Sequence, residues 1–401
     1  MFQPSPWRGE FPAIAALERQ QQTYLDSAAT TQKPRAMLDA MAHYYTHGAA
    51  NVHRAQHLPG ALATQAFEES REKVAHWLQA NAPAQVIFTH GATSALNLLA
   101  YGLEHEVAEG DEIAVSALEH HANLLPWQQL AQRRNARLVI LPVDTDGRVD
   151  LAQAQALIGP RTRIVALTQL SNVMGTAQPL APLLALARQQ GALSVVDGAQ
   201  GVVHGRQNMT TLGCDFYVFS SHKLYGPEGV GVLYGRSEAL GRLRHWQFGG
   251  EMVHQAGYHH ASFHPAPLGF EAGTPPIAGV IALGATLDWL GSLDGNAVLA
   301  HEQALHQQLL RGLHDRDDIQ VLGTPDSALA SFWVKGVHNA DLAHLLTDQG
   351  IAIRAGQHCA MPLFKGLELN GAIRVSLAMY NDSSDLSRFF EALDRALELL
   401  L

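Results

Sequence analysis

The chain has 401 residues, 47% of them apolar, with two cysteines and 27 Lys plus Arg against 37 Asp plus Glu, for a net charge of −10. That length suits two domains with a large core. Two cysteines exclude a disulfide framework and suggest a reducing compartment, the cytoplasm, and the acidity argues against direct nucleic-acid binding, which needs a basic face. No run approaches about 18 apolar residues, and the first residues lack a basic start followed by an apolar stretch. Neither a membrane span nor a secretory leader is expected.

Short apolar, β-branched runs follow one another in the order QVIF (85–88), EIAVS (112–116), RLVILPV (137–143), RIVALTQLS (163–171), ALSVVD (192–197), FYVFS (216–220) and GVGVLYG (229–235). Between them lie stretches of helical spacing such as PLLALARQQ (182–190), which stops at Gly191. Strands alternating with helices predict an α/β fold with a mostly parallel, seven-stranded, doubly wound sheet, whose ligands gather at the carboxyl ends of the strands. Past about residue 275 the pattern changes. Helical stretches at 279–290 and 300–313 lead to SFWV (331–334), IAIR (351–354) and RVSLAMY (374–380), then to an amphipathic helix from Ser384. This predicts a second, smaller α+β unit.

Three signals lie just beyond predicted strand ends. Small residues open a helix in THGATSALNLLA (89–100), which suits a phosphate at the helix N-terminus. Asp197 closes the apolar strand of VVDGAQ, where an acid is costly unless paired, with Gln200 three residues on. Lys223 in SSHKLYGPEGVG (220–231) follows a hydroxyl pair and His222 in a crowded Gly/Ser loop, a setting that depresses a lysine pKa and favours a Schiff base. Each alone has a plainer reading, as a cap, a turn or a surface charge. The ordered set matches what pyridoxal 5'-phosphate needs: a phosphate cradle, a partner for the ring nitrogen and a lysine. A fourth stretch, RAGQHCAMP (354–362), holds one of the two cysteines, Cys359. The other, Cys214 in LGCDFYVFS, precedes a strand in an apolar context and reads as structural.

With these stretches the chain resembles the group II cysteine desulfurases, including the cysteine sulfinate desulfinase branch, within the class V aminotransferase family of fold type I pyridoxal-phosphate enzymes. The resemblance runs nearly end to end, through YLDSAATTQKP (24–34), NVHR (51–54), EHHANLLPW (119–127), LSNVMGT (170–176), VDGAQG (196–201), HKLYGPEGVGVLYG (222–235), EAGTP (271–275) and RAGQHCAMP (354–362). It implies an N-terminal arm (1–22) packing with the small domain, a large cofactor-binding domain (23–289) and a small C-terminal domain (290–401) that carries the cysteine loop. Lys223 is implied as the Schiff-base lysine that later moves the Cα proton. Asp197 would pair with the pyridine nitrogen, Gln200 with the phenolic oxygen, and His120 would stack on the ring and take part in proton transfer. Thr93, Ser220 and His222 would hold the phosphate, with Thr274 reaching in from the second subunit of a homodimer. Arg374 would grip the substrate carboxylate, helped by Asn172, with Arg354 and His53 near Cys359. Cys359 would be the nucleophile that takes sulfur from L-cysteine as a persulfide and passes it to an acceptor protein, for iron–sulfur assembly or another route. Selenocysteine and cysteine sulfinate are further expected substrates.

Some positions depart from that pattern. Ser221 stands where glycine is common, adding a side chain near the expected phosphate, and FGG (248–250) replaces a triple glycine. His254, His259, His260 and His264 lack any recognised metal-ligand spacing, so no metal is expected. Other readings stay open at this point: a selenocysteine lyase or aminotransferase of the same fold, a cofactor-free thiol hydrolase using Cys359 and His358, or a non-catalytic sulfur-relay scaffold.

Overall fold

A computed structural model describes residues 4–54 and 56–401; the first three residues of the expected N-terminal arm lie outside them. The large unit is built on a seven-stranded sheet. Its order is Val86–Thr89, Gly231–Gly235, Phe216–Ser220, Leu193–Asp197, Thr162–Thr168, Glu112–Ser116 and Arg137–Leu141. Only Gly231–Gly235 runs antiparallel to its neighbours; the other pairs are parallel. The central strands read as unbroken apolar runs because both of their faces are covered. One apolar layer includes Phe67, Leu183, Phe219 and Leu283, and the other Leu96, Trp127, Phe216 and Leu243.

Three strands are shorter than their apolar runs by two residues. The run at 137–143 ends its strand at Leu141, because Pro142 has no N–H to give the ladder. The run at 163–171 leaves the sheet after Thr168, where the chain turns across the carboxyl ends toward Leu170 and Asn172. The run at 229–235 pairs from Gly231 on, since Gly229 holds a turn at φ +73°.

The C-terminal unit has a four-stranded antiparallel sheet in the order Ile319–Val321, Leu329–Val334, Ala372–Ser376, Arg354–Gly356. Leu305 and Leu309 of helix Gly295–His314, Leu342 of Asn339–Asp348 and Phe389 of Ser383–Leu400 cover it. The last helix starts at an Asp382 cap reciprocated by Asp385. The break between units falls at Leu293–Asp294, between helices Ile277–Ser292 and Gly295–His314.

The N-terminal border differs from the expected residue 23. Thr23–Tyr24 pairs in parallel with Ile351–Ala352, Asp26 bridges Ser376, and Leu25 is part of the small unit's core. The chain therefore joins the large unit only after Asp26. Before it, helix Pro12–Arg19 and Phe11 pack on Tyr225, Trp289 and Tyr380, and Arg8 pairs with Asp385 at 2.8 Å. No single described helix is long and apolar enough to cross a membrane.

Candidate active site

The carboxyl ends of the central strands open into a cavity walled by both units. Thr93, His120, Asn172, Asp197, Gln200, Ser220, His222 and Lys223 line it from the large unit, and Arg354, His358 and Arg374 from the small one. The large unit's lining side chains follow strand ends, where the backbone turns outward from the sheet.

Asp197 ends the buried strand Leu193–Asp197, and its Oδ1 accepts from the Ala199 N–H at 2.9 Å. Burial pushes its carboxyl pKa up, while Lys223 pulls it back. A cation placed beside this carboxylate would remove the cost of burying it. Lys223 follows the strand Phe216–Ser220 on a short 3-10 turn, Ser221–Lys223. Dense protein around its amine lowers its pKa to about 8, with Asp197 opposing and Arg374 and Arg354 assisting. At neutral pH the amine is thus far closer to its nucleophilic form than an exposed lysine.

The helix Ala92–Gly102 points its N-terminus at the same cavity. Ser220 Oγ accepts from the Ala92 N–H at 2.8 Å, and the following first-turn amides have no intrahelical acceptor. A Cβ on Gly231 would stand 2.4 Å from the Gly91 Cα, so only glycine lets the strand pass this close to the helix start. With Thr93 and His222 these amides form an anion seat. Ser221 does not add to it. Its buried Oγ faces Gly226, where a Cβ would lie 2.2 Å away, and makes no hydrogen bond.

His120 caps helix His121–Arg133, its Nδ1 accepting from the Ala122 N–H at 3.0 Å. Burial first, then the neighbouring cations led by Lys223, lower its pKa to about 4. It is therefore neutral at physiological pH. Gln200 donates one Nε2 proton to the Ala28 carbonyl at 2.8 Å, leaving its second N–H for the cavity.

Arg374 is 2% exposed. Nη1 donates to the Asn172 carbonyl (3.0 Å) and Nη2 to Asp26 Oδ1 (2.9 Å), while the buried Nε has no partner. An unpartnered donor on a buried guanidinium suits a small carboxylate. The Asn172 side chain also reaches the cysteine loop: one of its two Nδ2 protons goes to the His358 carbonyl at 2.8 Å.

That bond holds the cysteine loop. His358 and Cys359 sit consecutively in the left-handed region, at φ 46° and 57°, where each non-glycine residue costs about 1–2 kcal/mol. The loop is fixed there by the Asn172 bond, by the His121 N–H to the Cys359 carbonyl (2.7 Å), and by the Ala360 N–H to Gln357 (2.8 Å). The His121 ring also accepts from the Met361 N–H at 3.1 Å. Cys359 is partly exposed and is not itself in the cavity wall; its Sγ lies 3.8 Å from Arg354 Nη2, which is. Cys214 is buried.

Two residues of the expected set do not line this chain's cavity; of these, Thr274 is expected at the second subunit's site. His53 does not line this cavity: its Nε2 meets Glu68 at 2.8 Å, and Glu251 lies 4.0 Å from its Nδ1. Thr274 lies in a separate crevice with His90, Ser94 and Trp246. Among the described residues no group of three or more His, Cys, Asp or Glu could hold a metal ion. Sequence reasoning missed Asp26, the partner of Arg374, and His121, the anchor of the cysteine loop. Both lie inside quoted stretches, LDSAATTQKP and EHHAN, but nothing local marks their contacts.

The aminotransferase class-V family model matches residues 23–389. A "probable cysteine desulfurase" of Pseudomonas putida is 76% identical over 400 residues, covering all of both chains. The crystal structure of the cysteine desulfurase CsdA (S-sulfonic acid) from Escherichia coli superposes with a TM-score of 0.93 at 42% identity, again over the whole of both chains. The apo cysteine desulfurase from Thermococcus onnurineus gives 0.94 at 33% identity, over 100% of this chain and 99% of that one.

Proposed function

We propose that this chain, which belongs to the aminotransferase class-V family, is a cysteine desulfurase that uses pyridoxal 5'-phosphate to take the sulfur of L-cysteine onto Cys359 and release L-alanine. The observation that carries this reading is the convergence on one cavity of Lys223, Asp197, an anion-seating helix start and Arg374, next to the loop of a partly exposed cysteine.

The residues present fit the cofactor. Asp197 would face the pyridine nitrogen, Gln200 the phenolic oxygen and His120 the ring, while Thr93, Ser220, His222 and the helix amides would hold the phosphate. When bound, pyridoxal phosphate supplies an electron sink beside the substrate Cα. Lys223 would hold the cofactor through its amine, and as a neutral amine it would accept the substrate's Cα proton. Arg374 orients the substrate carboxylate through its spare donors. Neutral His120, with Nδ1 committed to the Ala122 N–H, keeps its ring proton on Nε2 as a hydrogen-bond donor without adding a charge to the cavity. The thiolate of Cys359 then bonds to the substrate sulfur as the carbon–sulfur bond breaks; the electron pair stays with the carbon fragment, which is protonated to alanine.

The cysteine loop argues for a protein acceptor. Cys359 is only five positions past Arg354, a tether of at most about 17 Å, so the persulfide is collected by a partner that comes to it. A homodimer, with Thr274 serving the other subunit's phosphate, and a cytoplasmic location complete the reading, and selenocysteine and cysteine sulfinate are further substrates. The thiol-hydrolase alternative loses support from His358. Its Nε2 pairs with the Ala372 carbonyl at 3.1 Å, and its buried Nδ1 bonds to nothing, Cys359 included.

The test is a product assay for alanine and for the sulfide, selenide or sulfite released from cysteine, selenocysteine and cysteine sulfinate side by side, with and without an acceptor protein. Alanine from cysteine, together with a visible cofactor band lost on borohydride reduction, supports the reading. No band, or no alanine from cysteine, overturns it.

A further inference from the structure

The stretch Asp26 to Lys33 does work that the roles above leave unassigned. It runs from the small unit to the lysine turn and is bonded at both ends. Asp26 Oδ1 accepts from Arg374, Ser27 Oγ lies 2.7 Å from the Tyr380 hydroxyl, and the Ala28 N–H donates to Ser376 Oγ at 2.9 Å. At the other end one oxygen gathers four donors. The carbonyl of His222, whose peptide leads into Lys223, accepts from the Thr31 N–H (3.2 Å), Thr30 Oγ1 (3.2 Å), Thr31 Oγ1 (3.1 Å) and Lys33 Nζ (2.8 Å). A carbonyl oxygen has two lone pairs, so the four compete, and the shortest and only charged donor is Lys33.

Lys33 is an odd lysine. Its side chain is 14% exposed, although solvent would solvate its ammonium better. Burial lowers its pKa to about 8. The carboxylate that faces it, Glu228 Oε1, is 3.5 Å away on a side chain that is 72% exposed, a weak compensation. The shortest bond offsetting the burial is the one to the His222 carbonyl, with a longer one to Thr30 Oγ1 at 3.3 Å.

We propose that Lys33 is a positioning residue for Lys223: its ammonium fixes the plane of the His222–Lys223 peptide, and the Asp26–Lys33 stretch ties that plane to the arginine expected to hold the substrate. The inference rests on the proposed function, since it assigns Lys33 a part in the same reaction. Misplacing the peptide shifts the Lys223 amine relative to a substrate carboxylate gripped by Arg374, and such misplacement acts on the proton-transfer step more than on binding.

The experiment compares three holoenzyme variants. Lys33→Met removes donor and charge, Lys33→Gln keeps a neutral donor, and Lys33→Arg keeps both. The expected order of kcat is wild type, Arg, Gln, Met, with Met down about tenfold or more. KM for cysteine and the amount of bound cofactor stay within about twofold. The circular dichroism of the visible cofactor band changes in Met and is restored in Arg. Glu228→Gln, on the exposed partner, leaves kcat and spectrum as in wild type. If Lys33→Met fails to fold, the Gln and Arg variants decide alone. Equal kcat and dichroism in wild type and Met overturn the proposal. So does an equal fall in all three variants, which would make Lys33 a packing residue. A wild-type protein without a visible band would instead overturn the cofactor reading itself.

Discussion

Lys223 and Cys359 approach one cavity from different units, and they are held in different ways. Lys223 follows a central strand of the large sheet, in a turn whose incoming carbonyl is crowded by donors from residues 30–33. Cys359 lies at the edge of the small unit, on a loop that keeps two successive left-handed residues by backbone and Asn172 bonds. Burial tunes the amine; the loop leaves the thiol partly exposed. On the proposed reading, burial suits the amine to proton transfer away from water, and exposure lets the thiol be reached from outside. A reaction that finishes inside the cavity would not need that exposure.

The comparison breaks most visibly at the lysine. Lys223→Ala is expected to lower turnover of every substrate by roughly four orders of magnitude, with the fold retained by circular dichroism. Residual activity within about tenfold of wild type would take the lysine out of the chemistry. Next comes Cys359→Ala, expected to cost at least about 100-fold on cysteine while cysteine sulfinate stays within a few-fold. The sulfinate group can leave without a nucleophile, whereas thiol sulfur must be pulled away. An equal fall on both substrates would mean that Cys359 holds the site's shape.

Asp197→Asn sharpens the lysine side. It removes a charge-assisted bond of about 1.5–3 kcal/mol, a fall of roughly 10- to 150-fold in kcat with part of the cofactor retained. Near-normal rates would make this acid structural. The mildest effect is one of pH. Since the neutral amine captures the cofactor and burial lowers Lys223 to about 8, the rate of capture by apoprotein should rise with pH through a midpoint near 8. It should level off above that, well short of the range of an exposed lysine near about 10.4. A rate still climbing at the exposed-lysine value would contradict the burial argument.

Much of this was legible in the chain because it is written locally. A strand buried on both faces must be a continuous apolar run, so EIAVS and FYVFS match their strands residue for residue. Asp197 and Lys223 stood out as polar groups at the ends of such runs. Strand ends were less legible, because in RIVALTQLS the apolar Leu170 still follows Thr168 although the chain has already left the sheet to line the cavity. Long-range pairings left no local mark. Asp26 and Arg374 are 348 residues apart, and Lys33 reaches the turn at His222 across 189. The orientation of Ser221 toward Gly226, and of His53 toward Glu68, also depends on neighbours that meet only in the fold.

The central claim is that the substrate's sulfur comes to rest on Cys359, and a mass measurement tests it most directly. The holoenzyme is mixed with L-cysteine in the absence of any acceptor, quenched within one turnover, blocked at free thiols and digested. The account predicts that the peptide carrying Cys359 is heavier by one sulfur atom while the Cys214 peptide is unchanged, with alanine formed in equal amount. Alanine formed with the sulfur free in solution and an unmodified Cys359 peptide would contradict it.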